Sequence, residues 1–392
     1  MDSAGEDCAL TGYIVHEWLE PHGGAEKVVE EMAAVFPDAP IKCLWDDAPA
    51  RFPEGRVSDT WLARTPLRKT KALALPFMPA TWRNLGPSDA EWLLCSSHLF
   101  SHHARFSGPA ADAPKFVFVH TPARYIWTPD MDARGKSLAV RLASVPLKAI
   151  DRKRAQEPTA IAAVSNFVRE RIAGIWDRDS IVIHPPVNVG QFDTDEQGGF
   201  TAEEERILDE LPETFIMGAS RFIPYKRLDL VIAAGAAAGI PVVLAGNGPE
   251  LGALQAQAAR HPGLVTFVDR PSHVMLRELY RRSLVYVFPP VEDFGIMPVE
   301  AMATGTPVVA SAVGGASETV VNGSTGVLLE DFSDAELKAA IEQAAGMDPA
   351  DCRERAWTFD REVFRGKIRN WVGSSGRTTV DTVADDEFER AV

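Results

Sequence analysis

Two acidic residues, Glu292 and Glu300, flank a glycine turn in the segment 290–300, which reads PVEDFGIMPVE. An apolar run precedes this segment and a helical pattern follows it. The spacing therefore predicts Glu292 in a loop after a strand and Glu300 about one turn into the next helix. A buried structural pair of carboxylates is the alternative to a ligand site. In a ligand site, the backbone N–H groups at the start of the helix would face the ligand, those of Gly295, Ile296 and Met297.

Two basic residues, Arg221 and Lys226, lie in the segment 220–227, SRFIPYKR, between a predicted strand ending at Ala219 and a predicted helix. Both side chains can extend over the carboxyl end of that strand. Paired cations at the start of a helix suit a diphosphate, because they neutralise the charge that grows as a nucleoside diphosphate leaves. The alternative is a solvated basic loop that pairs with nearby carboxylates.

A pair of glycines, Gly23 and Gly24, opens a predicted helix shortly after a strand that ends at His16. Glycine lets a ligand approach the backbone, and the N-terminus of a helix offers free N–H groups to an anion or a sugar hydroxyl. A plain turn would use the same residues. This loop is therefore a third candidate for a ligand-binding segment.

Short apolar runs alternate with amphipathic stretches along the chain, an order typical of βαβ units and parallel sheets. The predicted strands of the first half are 12–16, 41–45, 92–96, 116–120, 160–165 and 181–185. Those of the second half are 214–219, 241–245, 265–268, 285–289 and 307–310. We expect two doubly wound α/β domains, with ligands at the carboxyl ends of their strands.

The chain has 392 residues, of which 46% are hydrophobic. A single core stops growing at roughly 250–300 residues, so this length favours two domains. The segment 186–201 has the composition of a linker. We predict an N-terminal domain over 1–190, a second domain over 191–355 and a disordered tail over 373–392.

The formal net charge of −15 argues against sequence-independent binding of nucleic acid, which needs a basic surface. The cysteines are few and far apart, with no CxxC pair and no secretory leader before them: Cys8, Cys43, Cys95 and Cys352. This usage predicts a reducing, cytoplasmic compartment.

The segments 220–227 and 290–300, together with 304–310 (TGTPVVA) and 313–319 (VGGASET), resemble retaining glycosyltransferases of the large family four. The resemblance extends to about residue 372. It implies the α/β fold called GT-B, in which two Rossmann-like domains face each other across a cleft, with a helix over 356–372 packing back on the N-terminal domain. Domain closure would accompany donor binding.

The resemblance also implies roles for single residues. Glu292 matches the position that contacts the donor sugar, and Glu300 matches the one that binds the nucleotide ribose, with backbone near Asn247 and Asp269. The remaining matched residues would hold the diphosphate or face the acceptor: Arg221 and Lys226 as the diphosphate pair, and Gly23 and Gly24 as the loop beside the donor phosphate and the acceptor.

Three further segments, 120–127 (HTPARYIW), 163–168 (AVSNFV) and 184–188 (HPPVN), are similar to bacterial mannosyltransferases that build O-antigen from GDP-mannose. His120 would then reach toward the donor sugar, although a capped loop histidine is the alternative. We expect front-face attack with retention, because no carboxylate in these motifs is an evident nucleophile on the far face of the sugar. A covalent intermediate stays open.

Three Asp-x-Asp triplets have a spacing that can chelate a metal, but none directly follows an apolar strand. We assign them to loops and expect catalysis without a metal or other cofactor, since cations and helix N-termini can stabilise the leaving group. The triplets are Asp130 with Asp132, Asp177 with Asp179, and Asp193 with Asp195.

Two basic stretches, 64–71 and 141–154, have two interpretations. They are either solvated helix surface, or they contact an anionic membrane or a polyprenyl-diphosphate acceptor. Localisation is accordingly cytoplasmic, with peripheral contact at the inner face of the membrane left open.

Two other functions stay open: transfer from a UDP- or dTDP-sugar to a small metabolite, and an inactive sugar-binding subunit. The intact set of cations and carboxylates weighs against the inactive subunit. A nicotinamide dehydrogenase is excluded, because the segment 23–28 after the first strand lacks the GxGxxG pattern.

Overall fold

A computed structural model of the protein describes residues 11–21, 23–127, 138–194 and 199–374. They form two parallel sheets with helices on their faces, which confirms the predicted α/β class. The first sheet has the order β3-β2-β1-β4-β5-β6-β7. Its strands are β1 Gly12–His16, β2 Ile41–Cys43, β3 Val57–Asp59, β4 Trp92–Ser97, β5 Lys115–Val119, β6 Ala160–Ala163 and β7 Ile181–Val182.

The second sheet has the order β10-β9-β8-β11-β12-β13. Most of its strands are short runs of β-branched and aromatic residues, buried on both faces, as parallel sheets covered by helices require. Its strands are β8 Ile216–Ala219, β9 Val242–Ala245, β10 Val265–Val268, β11 Val285–Phe288, β12 Val308–Ser311 and β13 Gly326–Leu329.

The helices of the first half include two long ones and several single turns. They are α1 Gly24–Val35, α2 Lys71–Ala74, α3 Met78–Trp82, α4 Arg124–Trp127, α5 Leu138–Arg154 and α6 Asn166–Trp176. The side chain of Ser165 caps α6 by accepting the N–H of Val168 over 3.1 Å. This cap fixes where α6 begins, close to the second domain.

The helices of the second half cover the six-stranded sheet and end with one that leaves it. They are α7 Ala202–Glu210, α8 Leu228–Ala238, α9 Leu251–Ala258, α10 His273–Arg282, α11 Ile296–Ala303, α12 Ala316–Thr319, α13 Asp334–Ala344, α14 Pro349–Trp357 and α15 Arg361–Gly373.

The last helix, α15, packs on the N-terminal domain. Its residues Phe364 and Ile368 lie in the core that surrounds the first sheet, whereas Ala356 and Phe359 belong to the core of the second. The returning segment thus begins at α15 rather than at 356, because Asp360 caps α15 and starts it there. The predicted tail, apart from residues 373 and 374, lies outside the described residues.

Among the described residues, no helix combines the length and the apolar character needed to cross a bilayer.

Candidate active site

Lys226 and Glu292 meet at the carboxyl edge of the second sheet. Their strands, β8 and β11, are neighbours, so the loops that follow them lie side by side. The ammonium of Lys226 donates to Oε1 of Glu292, and the lysine is only 8% exposed. A buried ammonium needs an anionic partner, and here Glu292 supplies it. The structure therefore brings together two of the residues that the sequence singled out.

Arg221 lies on the same loop but is exposed, and its side chain has no partner among the residues that the structure describes. Gly246 and Gly248 pack closely against the backbone of this loop. A Cβ at Gly246 would lie 1.9 Å from the carbonyl oxygen of Ser220, and one at Gly248 would lie 2.4 Å from that of Phe222. Because the loop is fixed and its guanidinium is free, Arg221 is available to an incoming anion.

The N-terminus of α11 forms the floor of the site. Gly295 precedes the helix with φ +115°, a conformation that favours glycine, and no side chain caps the first turn. Gly315 packs against this turn, where a Cβ would lie 2.3 Å from the Cα of Phe294. The N–H groups of the first turn, including those of Ile296 and Met297, lack intrahelical acceptors and suit an anion or a hydroxyl.

The N-terminus of α1 faces that of α11 across the cleft. A Cβ placed on Gly24 would lie 4.0 Å from Cδ1 of Ile296, so the predicted glycine loop and the N-terminus of α11 are close together. Gly23 is the N-cap residue of α1 and is extended. A side chain in place of Gly23 would collide with the carboxylate of Glu26. That carboxylate accepts the backbone N–H of Glu20 over 3.1 Å.

Glu300 lies in α11 beside a cavity of about 190 Å³ that both domains line. Lys27 of α1 borders this cavity from one side, and His273 borders it from the other. Desolvation raises the pKa of Glu300 to about 7, against the opposing effect of the Lys27 ammonium. The carboxylate thus titrates near neutral pH, a property common at binding sites.

Asn247 and Asp269 follow the neighbouring strands β9 and β10. The side-chain amide of Asn247 donates to Oδ1 of Asp269 over 2.6 Å, and Asp269 is exposed. Both residues lie further along the same edge as Arg221. This edge therefore presents polar groups in a row, as a long ligand such as a nucleotide would need.

His120 follows β5 in the N-terminal domain and belongs to a polar cluster that the sequence did not predict. Ser96 Oγ lies 2.8 Å from Nε2 of His120 and 3.1 Å from Nδ1 of His16. Burial lowers the pKa of His120 to about 4 and, together with the nearby His120, lowers that of His16 to about 3. Both rings are therefore neutral at physiological pH. The imidazole of His120 can thus donate one hydrogen bond and accept another without carrying a charge.

Asp293 connects the two domains beside Glu292, and the sequence did not single it out. Its carboxylate pairs with Arg124 and, through Oδ1, accepts from Arg171 over 2.8 Å. Its carbonyl oxygen accepts from the hydroxyl of Ser165 over 2.5 Å. Arg124 lies four residues after His120, so this contact ties the loop of His120 to the loop of Glu292.

A second carboxylate, Glu318, also crosses between the domains. It accepts the backbone N–H groups of Asn166 and Phe167 over 2.8 and 3.0 Å, and its Oε2 lies 3.3 Å from Nε2 of His184. These contacts place Glu318 at the N-terminus of α6, where an anion is favoured. The two carboxylates together connect the facing edges of the two domains.

Among the described residues, none of the sequence-derived candidate metal ligands Asp177, Asp179 and Asp193 belongs to a cluster of three or more possible ligands. Asp177 ends α6 and Asp179 lies two residues beyond it, while Asp130, Asp132 and Asp195 fall outside the described residues. The described residues do bring His102, His103 and Asp151 together in the N-terminal core. Oδ2 of Asp151 accepts two indole N–H groups and Oδ1 lies 3.1 and 3.2 Å from the imidazoles, so the carboxylate is satisfied by the protein itself.

Comparison with known proteins matches the second domain, which carries Lys226, Glu292 and Glu300, to a family model. Residues 201–356 match the family model described as glycosyl transferases group 1. A D-inositol 3-phosphate glycosyltransferase of Mycobacteroides abscessus is 32% identical over 184 residues, 43% of this chain and 41% of that protein. A glycogen synthase of Mycobacterium tuberculosis is 38% identical over 121 residues, 30% of this chain and 29% of that protein. The chain spans half or less of the length of the curated relatives it matches.

The fold of the whole chain is found in solved structures. HepE of Anabaena, crystallised with UDP, matches with a TM-score of 0.69 at 19% identity, over 92% of this chain and 100% of that one. At this identity the likeness shows the fold alone. Residues 201–356 thus match the family of group 1 glycosyl transferases, within a chain that has the two-domain GT-B fold.

Proposed function

We propose that this protein is a hexosyltransferase that moves a sugar from a nucleoside diphosphate sugar to a hydroxyl group of an acceptor, with retention and without a metal. The observation that carries the proposal is the pairing of Lys226 with Glu292 above the uncapped N-terminus of α11. A cation and a carboxylate at one helix N-terminus match a donor that has an anionic diphosphate beside a hydroxyl-rich sugar.

Donor binding would separate the pair. The diphosphate then binds the side chains of Lys226 and Arg221 and the N–H groups at the starts of α11 and α1. The sugar hydroxyls hydrogen-bond to Glu292 and His120. The bond between the anomeric carbon and the phosphate oxygen then breaks, and its electron pair goes to the diphosphate. The acceptor oxygen attacks from the face that the diphosphate leaves, and its proton passes to the departing phosphate oxygen. This front-face course retains configuration.

We further propose GDP-mannose as the donor. The three segments that resemble GDP-mannose-dependent enzymes converge at the cleft, since His120 lies at its N-domain wall, Ser165 contacts Asp293 and His184 contacts Glu318. The alternative is a UDP- or dTDP-sugar. UDP and UDP-glucose are the ligands in the crystal structures of the Anabaena protein, so a UDP-sugar is the first competitor to test.

A cytoplasmic location fits this proposal. The described cysteines Cys43, Cys95 and Cys352 are buried free thiols, and burial raises the pKa of Cys95 and Cys352 to about 12. Such thiols are not reactive, and they are typical of reducing compartments.

Turnover of candidate donors tests the function. The protein is incubated with GDP-mannose, UDP-glucose or dTDP-glucose and a panel of hydroxyl acceptors, and release of nucleoside diphosphate is measured with and without EDTA. We expect release from GDP-mannose, unchanged by EDTA, and a product whose anomeric configuration by NMR is that of the donor. Loss of activity in EDTA that manganese restores would overturn the metal-free mechanism, and inversion would overturn retention.

A matched set of variants separates the site from the surface. Glu292→Ala and Lys226→Ala should abolish most turnover, whereas Arg260→Ala, an exposed basic residue on the far side of the second domain, should not change it. Wild-type activity in both site variants would contradict the assignment. Donor binding without turnover in the presence of every acceptor would favour the inactive sugar-binding subunit.

A further inference from the structure

Two stretches of the N-terminal domain have a charge opposite to that of the whole chain. Residues 60–84 and 138–156 each contain five Lys or Arg, although the formal net charge of the protein is −15. The only acidic residue in either stretch is Asp151, which is fully buried. The exposed charges that these stretches themselves contribute are therefore basic, and four of them, Arg68, Lys71, Arg83 and Arg154, pair with carboxylates from outside the stretches.

The first stretch also exposes large apolar side chains. Trp61, Leu73 and Phe77 are 53%, 61% and 46% exposed, and the rings of Trp61 and Phe77 meet edge to face with 6.4 Å between their centroids. Arg64 and Lys69 are exposed between them, with no side-chain partner among the described residues. Isolated exposed apolar residues are ordinary, but a cluster interleaved with unpaired cations marks an interaction surface.

The second stretch also exposes apolar and basic side chains. On α5, Val145 is 61% exposed and Ile150 is 39% exposed, and Lys153 is exposed two turns after Val145. Both α3 and α5 pack against the 3-10 turn Ser101–His103. One residue past α3, Arg83 pairs with Glu157, which lies three residues past α5. We call the exposed area of the first stretch the basic-apolar surface: Trp61, Arg64, Lys69, Leu73 and Phe77.

The basic-apolar surface borders the entrance to the cleft. Lys71, between Lys69 and Leu73, lies 4.3 Å above the ring of Trp18 and pairs with Glu20 over 2.6 Å. Trp18 and Glu20 belong to the loop that leads from β1 to Gly23. A molecule held on the basic-apolar surface would therefore lie next to the acceptor-side loop.

We propose that the basic-apolar surface seats this protein on an anionic lipid bilayer. The apolar side chains enter the boundary between headgroups and acyl chains, and the free cations meet lipid phosphates. An anionic bilayer is the occupant that matches both halves of the surface, since a soluble polyanion would need the cations but not the exposed Trp, Leu and Phe. If the proposed glycosyltransferase function holds, the acceptor is an amphiphile whose hydroxyl is presented by that bilayer.

Vesicle sedimentation tests the proposal with the full chain. The protein is mixed with vesicles of phosphatidylcholine alone or of equimolar phosphatidylcholine and phosphatidylglycerol, at low and high salt. We expect binding to the anionic vesicles only, weakened by salt. Each basic residue at such a surface raises the partition coefficient onto anionic vesicles about fivefold. The double variant Arg64→Gln with Lys69→Gln should therefore lower that coefficient about 30-fold. The triple variant Trp61→Ser, Leu73→Ser and Phe77→Ser should also release the protein.

Matched controls are Arg260→Gln and Val363→Ser, which remove an exposed cation and an exposed apolar residue elsewhere and should leave binding unchanged. Absence of binding to anionic vesicles would overturn the proposal, as would equal binding to both vesicle types. Binding that depends on the cations but not on the triple variant would identify a general polyanion site instead. Titration with GDP and UDP on the same variants keeps the outcome separate from the proposed function, because nucleotide binding should be unaffected.

Discussion

Lys226 and Glu292, 66 positions apart in the chain, form an ion pair at the carboxyl edge of the second sheet. The pair neutralises two charges that a nucleotide sugar would engage separately, the ammonium with the diphosphate and the carboxylate with the sugar. The ligand-free site is thus kept satisfied by its own residues. In the proposed function, donor binding is therefore an exchange of partners rather than the filling of an uncompensated site.

The exchange predicts how the two residues act together. Removing either one should lower kcat/KM about 100-fold, because each stabilises charge or position in the transition state. The double variant Lys226→Ala with Glu292→Ala should lose much less than the product of the single effects, since each single variant also strands the other charge. Steady-state kinetics of the three variants measures this, and fully multiplicative losses would show that the ion pair has no part in the site.

The contacts of Asp293 with Arg124 and Arg171 should affect kcat more than the affinity for the donor. Asp293→Asn weakens the contacts with Arg124 and Arg171 but leaves the donor-facing side chains in place. We expect kcat to fall about tenfold, because the loop of His120 is no longer held against that of Glu292, while the Kd for nucleotide changes less than about twofold. Glu203→Gln, which breaks an exposed ion pair on α7, is the control. Equal losses in kcat and affinity would place Asp293 in donor binding instead.

Nucleotide affinity should depend on the ionisation of Glu300. Its pKa near 7 means that this carboxylate, which we propose binds the ribose, becomes protonated as the pH falls below neutrality. The Kd should therefore rise below about pH 7, approaching tenfold per pH unit at lower pH, as expected for a single required ionisation. Calorimetric titration of wild type and Glu300→Gln checks this. The variant should bind weakly at all pH values and lose most of the pH dependence, and an unchanged slope would assign the titration to another group.

Buried neutral histidines should make the fold sensitive to acid. The pKa values of His16, His98, His103 and His120 are lowered, chiefly by burial, so the unfolded chain binds protons that the native state does not. Their stabilising effect is complete above the unfolded value of about 6.5 and is lost as the pH falls toward 4. Glu300 acts in the opposite direction, because its raised pKa favours the protonated native state between about pH 4.5 and pH 7.

The four histidines outnumber the three carboxylates whose pKa values burial raises, Glu17, Glu26 and Glu300, so we expect a net loss of stability on acidification. Urea unfolding at several pH values from about pH 7 to about pH 5 should show a falling free energy of unfolding. Ser96→Ala tests whether the cluster is involved, since it removes the hydroxyl that bridges His16 and His120 and should alter the slope. A free energy of unfolding that does not change over this range would contradict the neutral state of these rings.

Local sequence patterns predicted most of the fold. The strands β1 and β10 have the bounds that their apolar runs and flanking turns predicted. Two edge strands were missed. β3 reads VSD and is largely exposed, so it has no apolar run, and β13 follows β12 with only a four-residue helix between them, which hides the alternation.

The site was predictable where chemistry is encoded by residues close in sequence. Glu292, Glu300 and the glycine turn share one segment, and Arg221 and Lys226 share another. Asp293 was missed although it is adjacent to Glu292, because its partners Arg124 and Arg171 belong to other segments and meet it only when the domains close. The Ser96 cluster was missed for the same reason, since it joins the ends of three strands.

Nucleotide titration of the wild type and of Lys226→Ala tests the central claim most directly. The claim is that the edge of the second sheet around Lys226, Glu292 and Glu300 binds the diphosphate of a nucleotide sugar, with GDP as the nucleotide. Thermal shift with GDP, UDP, ADP and dTDP should show stabilisation by GDP above the others, and Lys226→Ala should lose most of it while Arg260→Ala retains it. Stabilisation by UDP alone would contradict the GDP assignment, and equal stabilisation of Lys226→Ala and wild type would contradict the site.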